Sequence, residues 1–173
     1  MEICPIKRVG CSASGHAQGN NLKENATGLI YQPRLRAVVT CDYTGFVAPE
    51  MVKIRSVVVL SKSKTNDRLI TVVPLSTTLP DKVLACHHKL ARNPHPDENP
   101  ALEVWAKCDM VYTVSLARVN YYKTKPRRGG RATYHSTLMI SPGDFLAIQR
   151  GARYALGLDA LPEPVDDAVG QQA

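Results

Sequence analysis

The middle of the chain alternates short β-branched, apolar runs with clusters of turn-forming residues. The clearest runs are residues 37–42, 56–61 and 69–76. Weaker ones follow at 84–90, 102–107 and 110–115. Valine, isoleucine and threonine suit a pleated, half-buried surface, so each run predicts a strand. Short strands at this spacing predict a small barrel or a strongly curved sheet.

One segment follows helical rather than strand periodicity. Ser141 offers an N-cap, Pro142 a first helical residue and Asp144 an acid three positions after the cap. Phe145, Ile148, Ala152, Ala155 and Leu156 then recur at helical spacing, and Gly157 and Pro162 mark the end. The stripe predicts a helix packed on the sheet. The pattern fades at both ends of the chain. Residues 1–32 are polar and aperiodic and read as a disordered leader; residues 159–173 read as a disordered acidic tail. One domain, residues 33–158, lies between them.

Composition narrows the function classes. No run of 18 apolar residues exists, and the N-terminus lacks a signal peptide's apolar centre, which predicts a cytoplasmic protein without a membrane span. Cys4, Cys11, Cys41, Cys86 and Cys108 are odd in number and widely spaced, so they read as reduced thiols, the last three in strands. No Gly-rich phosphate loop or dinucleotide fingerprint occurs. His87 and His88 are adjacent, and strand neighbours point to opposite faces, which predicts one buried ring, one exposed ring and no shared metal. His95, among prolines, reads as a loop residue. No cofactor or metal is expected.

Charge points toward a polyanion. The formal net charge is +7, and the tail holds four acids and no base, leaving +11 on residues 1–158. Two loops stand out. Residues 43–54 are long for a hairpin connection, and such loops often carry function. Residues 121–136 combine Lys123, Lys125, Arg127, Arg128 and Arg131 with Tyr121, Tyr122 and Tyr134. These residues suit phosphate contacts and base stacking, or equally a solvated charged loop.

Three segments in order carry a resemblance: Glu50 through Arg55 to Ser61, Thr71 through Ser76 and Thr77 to Thr78, and Lys107-Cys108-Asp109 continuing to Arg118. With the long loop and the closing helix, the chain from residue 37 to 157 resembles the PemK/MazF family of mRNA-cutting toxins, Kid-like members above all. The resemblance implies a mainly β fold, an SH3-like barrel with a C-terminal helix. It implies a homodimer with an RNA groove along its interface, metal-independent cutting of single-stranded RNA at short sequences, and a paired antitoxin. Asp109 matches the aspartate that acts in catalysis, Arg55 the arginine after the long loop, and Lys107 an arginine two residues before the aspartate. Ser76, Thr77, Glu50 and Lys53 fall on the family's substrate-contacting stretches. Departures are plain: the family's Arg-Pro is Arg55-Ser56, its glycine before the first strand is Arg36, and Pro49 replaces a loop histidine.

Metal-free cleavage uses the RNA's own 2′-hydroxyl as nucleophile and leaves a 2′,3′-cyclic phosphate. The protein must take one proton, steady a more anionic phosphorane and return a proton to the leaving oxygen. Asp109 is the expected base, near a strand end and partly desolvated. Arg55 suits the phosphate oxygens because its planar fork donates two hydrogen bonds. Lys107 is the expected donor. Ser76 and Thr77 offer hydroxyls, or else only turn chemistry. Glu50 is a second polar catalyst or a loop charge in equal measure. Two other classes stay open: a catalytically inactive RNA binder, and a protein-gripping member of the fold resembling the gyrase poisons.

Overall fold

A computed structural model describes residues 28–124 and 130–158. The elements are β1 (Val38–Cys41), β2 (Arg55–Lys62), β3 (Leu69–Ser76), β4 (His87–Lys89), β5 (Trp105–Lys107), β6 (Tyr112–Ser115), β7 (Val119–Lys123), β8 (Tyr134–His135) and α1 (Pro142–Ala155). A single 3-10 turn, Leu116–Arg118, joins β6 to β7. The order across the sheet is β4-β5-β3-β2-β1-β7-β8, with every pairing antiparallel. One edge of β3 is shared: its C-terminal end pairs with β5 and its N-terminal part with β6. The β-rich fold with a closing helix follows the sequence pattern. Among the described residues the ladder ends at β4 and β8, so it does not close on itself as a barrel does.

The strongest runs became the longest strands. β3 spans the predicted residues, and β2 starts one residue before its run and ends one after. The weaker runs shrink. β4 and β5 keep three residues each. Part of the 121–136 loop is a hairpin instead, because Tyr122 and Lys123 pair with His135 and Tyr134; Lys125, Arg127 and Arg128 lie outside the described residues.

Side-chain alternation divides the core in two. On the helix side, Val58, Val73, Leu75, Val104 and Ala106 pack with Ile140, Phe145, Ile148 and Ala152. On the other side, Val57, Val59, Ile70 and Val72 pack with Tyr43, Val114 and Leu116. Fully buried side chains such as Ile148 each contribute about 1.5–3 kcal/mol relative to exposure. The helix stripe stops earlier than its periodicity predicts: Ala155 is exposed, and Leu156 is 60% exposed. The sheet beneath has run out by that turn.

The helix start works as the sequence predicts and does more. Ser141 Oγ accepts from the Asp144 amide at 3.0 Å and donates to Asp144 Oδ2 at 2.7 Å. The other Asp144 oxygen accepts from the Ala91 amide at 3.0 Å and meets His88 Nε2 at 2.9 Å. One buried carboxylate thus ties α1 to β4 and the segment after it. Burial alone would raise its pKa, but the hydrogen bonds from His88, Ser141 and Ala91 outweigh burial and hold it below the ordinary 3.8.

Two departures have physical explanations. Arg36 holds φ at 71°, a region glycine favours. Its guanidinium donates twice to the Ile140 carbonyl, at 2.8 and 3.2 Å, which offsets the strain by joining the start of β1 to the helix approach. Residues 28–32, expected within the leader, are bonded to the body: the Leu29 amide donates to the Val119 carbonyl at 2.9 Å, and Gln32 donates to the Leu69 carbonyl at 2.9 Å. Gly28 lies so close to the Leu116 carbonyl that an added Cβ would overlap it.

Candidate phosphate site

Arg55 opens β2, directly after the long loop. That loop is anchored from within. Tyr43 is fully buried and packs against Phe46 and Tyr112. Arg118 stacks over the Phe46 ring and donates to the carbonyls of Asp42 and Thr44. Val57 pairs with Pro74, and continuing that register places Arg55 beside Ser76. Ser76 in turn pairs with Trp105. Alternation then puts Arg55, Ser76 and Lys107 on the face of the sheet turned away from α1 and Ser56 on the α1 face, so Arg55 and Ser56 share a cavity only at the open strand end.

At the open end of β2 and β3 lies a cavity of about 200 Å³, and Arg55, Ser56, Ser76, Thr77, His95 and Glu98 are among its lining residues. Three sequence-predicted residues, Arg55, Ser76 and Thr77, therefore meet there. A guanidinium among hydroxyls is suited to an anionic, multi-oxygen group such as a phosphate. Ser76 Oγ also accepts from the Thr78 amide at 3.1 Å, so the turn chemistry operates as well. Glu50 serves its own loop, where Oε2 accepts from the Val47 amide at 2.9 Å. Lys53 is exposed in that loop.

His95 and Glu98 are the cavity residues that sequence reasoning did not select. The imidazole is buried at 7% exposure. Its Nδ1 lies 3.0 Å from Asn93 Oδ1 and 3.4 Å from Glu98 Oε2, both acceptors, so Nδ1 carries the proton. Asn93 is oriented in turn by donating to Glu98 and to the Asn99 carbonyl. Nε2 is then a lone pair, and it receives the Ser56 hydroxyl at 2.7 Å. Burial pushes the His95 pKa below the ordinary 6.5, against the opposing pull of Glu98 and Asp97. The signal in the sequence was a histidine among prolines beside Asp97 and Glu98, which shows a loop without showing what it covers.

Asp109 sits elsewhere, at the corner between β5 and β6. It is nearly half exposed, at 46% of its side chain, rather than desolvated as expected. Its neighbour is His87 Nε2 at 3.5 Å. His87 Nδ1 accepts from the Leu84 amide at 3.2 Å, so Nε2 carries the proton and points it at Asp109. Lys107 is partly buried on β5, and it pairs with His87 across the ladder. Among the described residues no hydrogen bond or ion pair links Asp109 to Arg55. Cys86, His87 and Asp109 bring ligand atoms within 4.8 Å of one another. The backbone donor on His87 Nδ1 disfavours a metal at Nε2, since that would leave two donors facing each other.

His87 and His88 do diverge, toward Asp109 and Asp144, but both are partly buried rather than one of each. The three described cysteines are free and buried. Cys41 lies in β1, while Cys86 and Cys108 flank β4 and β5 instead of lying inside them. Burial raises the Cys41 thiol to about 11 and the Cys108 thiol to about 12, so neither is a nucleophile near neutrality. No helix among the described residues is long and apolar enough to cross a membrane.

Comparison with known proteins agrees with this architecture. A putative uncharacterised protein of Escherichia coli K12, YifN, is 40% identical over 89 residues, which cover 49% of this chain and 59% of that protein. The chain thus matches little more than half the length of this curated relative. The crystal structure of MazF from Deinococcus radiodurans shares the fold, with a TM-score of 0.50 at 17% identity over 73% of this chain and 98% of that one. An endoribonuclease in complex with its cognate antitoxin, from a mycobacterial species, aligns at 0.48 with 17% identity, covering 77% of this chain and 100% of that one. The family profile of PemK-like, MazF-like toxins of type II toxin–antitoxin systems matches residues 35–137. That match spans more than half of the sequence, and the chain therefore belongs to this family of toxins.

Proposed function

We propose that the protein is a metal-independent endoribonuclease that cuts single-stranded RNA at short sequences, as the toxin of a type II toxin–antitoxin pair in the cytoplasm. The convergence of Arg55, Ser76 and Thr77 on one cavity, within a chain of this family, is the observation that supports the reading. Arg55 holds the scissile phosphate with help from the two hydroxyls, and Lys53 and Glu50 lie on the loop beside the substrate path. Lys107 and Asp109, two residues apart at the end of β5, are the proton-handling pair of the motif. The 2′-oxygen attacks phosphorus, the bond to the 5′-oxygen breaks, and a 2′,3′-cyclic phosphate and a free 5′-hydroxyl result. A homodimer extends the groove along its interface, and a cognate antitoxin blocks it. The net positive charge favours the RNA backbone.

Cleavage of a single-stranded RNA in EDTA, with the new ends mapped, tests this. Cyclic-phosphate ends are expected, together with full resistance of an all-2′-deoxy substrate. Absence of cleavage of any RNA, or cleavage of the deoxy substrate, would reject the reading.

A further inference from the structure

One departure from the family pattern falls at the cavity: the proline after the arginine is Ser56. Ser56 lines the Arg55 cavity, and its hydroxyl is bonded at 2.7 Å to a buried histidine from a different segment. A proline at that position has no hydroxyl to offer. A hydroxyl, a base within hydrogen-bond reach and a third group orienting the base make the arrangement that activates proton transfer.

We propose that the proton of the ribose 2′-hydroxyl at an Arg55-held phosphate passes through Ser56 to His95. The inference rests on the ribonuclease reading and gives the acceptor's part, which the motif assigns to Asp109, to His95. As the bond from O2′ to phosphorus forms, the 2′ proton moves to Ser56 Oγ while the Ser56 proton moves to His95 Nε2. The bond to O5′ breaks, and that oxygen takes a proton from the Lys107 ammonium. His95 and Lys107 return to their starting states by exchange with water. Asn93 and Glu98 hold the ring in the required tautomer, and the Glu98 carboxylate steadies the imidazolium that forms. The groups facing His95 are Glu98 and Asp97 on its own loop, Tyr122 of β7 with its ring tilted and centred 4.7 Å away, and Arg55 of β2, which lines the same cavity.

Single-turnover cleavage of one single-stranded RNA across pH tests the assignment, using wild type, His95→Gln and Ser56→Ala. The wild-type rate should fall on the acid side as His95 protonates. His95→Gln should lower the maximal rate by about 100-fold, leave KM within about threefold and abolish that acid limb. Ser56→Ala, which leaves the buried ring in place, should lose about as much and decides the matter if His95→Gln does not fold. A His95→Gln protein with the wild-type rate and acid limb, or with only KM raised, would overturn the relay and leave the ribonuclease reading standing. If wild type cuts no RNA, both fall together.

Discussion

His95 and His87 each sit beside a carboxylate, and their other hydrogen-bond partners give them opposite chemistry. At the Arg55 cavity, His95 turns Nδ1 toward two acceptors and presents a lone pair to Ser56. At the β5–β6 corner, His87 accepts a backbone amide on Nδ1 and presents a proton to Asp109. The cavity ring is buried with its loop folded over it; at the corner, the carboxylate stands half in water. A histidine's role therefore follows from which nitrogen its surroundings already occupy, and neither the residue type nor its sequence neighbours decides that. The cavity is suited to taking a proton, and the corner to supplying one.

The contrast can be broken by mutation. Arg55→Ala should have the largest effect, lowering cleavage by about two to three orders of magnitude, because on the proposed reading its guanidinium holds the phosphate. A fall of less than tenfold would mean the cavity is not where the phosphate binds. Asp109→Asn should keep the acid limb of the pH profile, because the acceptor's part lies with His95. If the limb disappears in Asp109→Asn and survives in His95→Gln, the two regions exchange roles.

Stability sharpens the same comparison, because Asp144 ties the helix to the strand that carries His87. Asp144→Ala keeps the Ser141 cap on the residue 144 amide but leaves the Ser141 hydroxyl proton, His88 and the Ala91 amide without their carboxylate partner. It should cost about 2–4 kcal/mol in chemical denaturation. The sign of its pH dependence follows from the lowered folded-state value. The unfolded carboxyl binds its proton first as pH falls, so this stabilisation is complete above the ordinary 3.8 and is lost as pH drops through the folded value. Asp144→Asn should flatten that acid loss. The His95 shift has a different window: its unfolded imidazole protonates first below 6.5, so stability declines from there down to the folded value. His95→Gln should remove that decline.

Arg36 gives the smallest expected change. Arg36→Gly relieves about 1–3 kcal/mol of backbone strain and forfeits two hydrogen bonds of comparable total strength, so its melting midpoint should stay close to wild type. Arg36→Ala keeps the strain and loses the bonds, and should be the less stable of the two. The reverse order would show that the bonds to Ile140 do not offset the strain.

Local pattern was enough for the strands of the sheet's centre and for the helix start. Runs of valine and isoleucine and the Ser141-Pro142 signal are statements about nearest neighbours, and β3 and α1 appear where these place them. The motif also selected Arg55, Ser76 and Thr77 before anything showed that they meet. What the sequence determined alone was therefore the type of each element and the residue types available for chemistry. Tertiary structure decided that the helix stripe ends at Ala152, that His95 folds over the end of β2 and β3, and that Asp109 stands apart from Arg55 with His87. Those outcomes depend on contacts between residues tens of positions apart, where burial and hydrogen-bond satisfaction over the whole sheet set the result and no local periodicity records it.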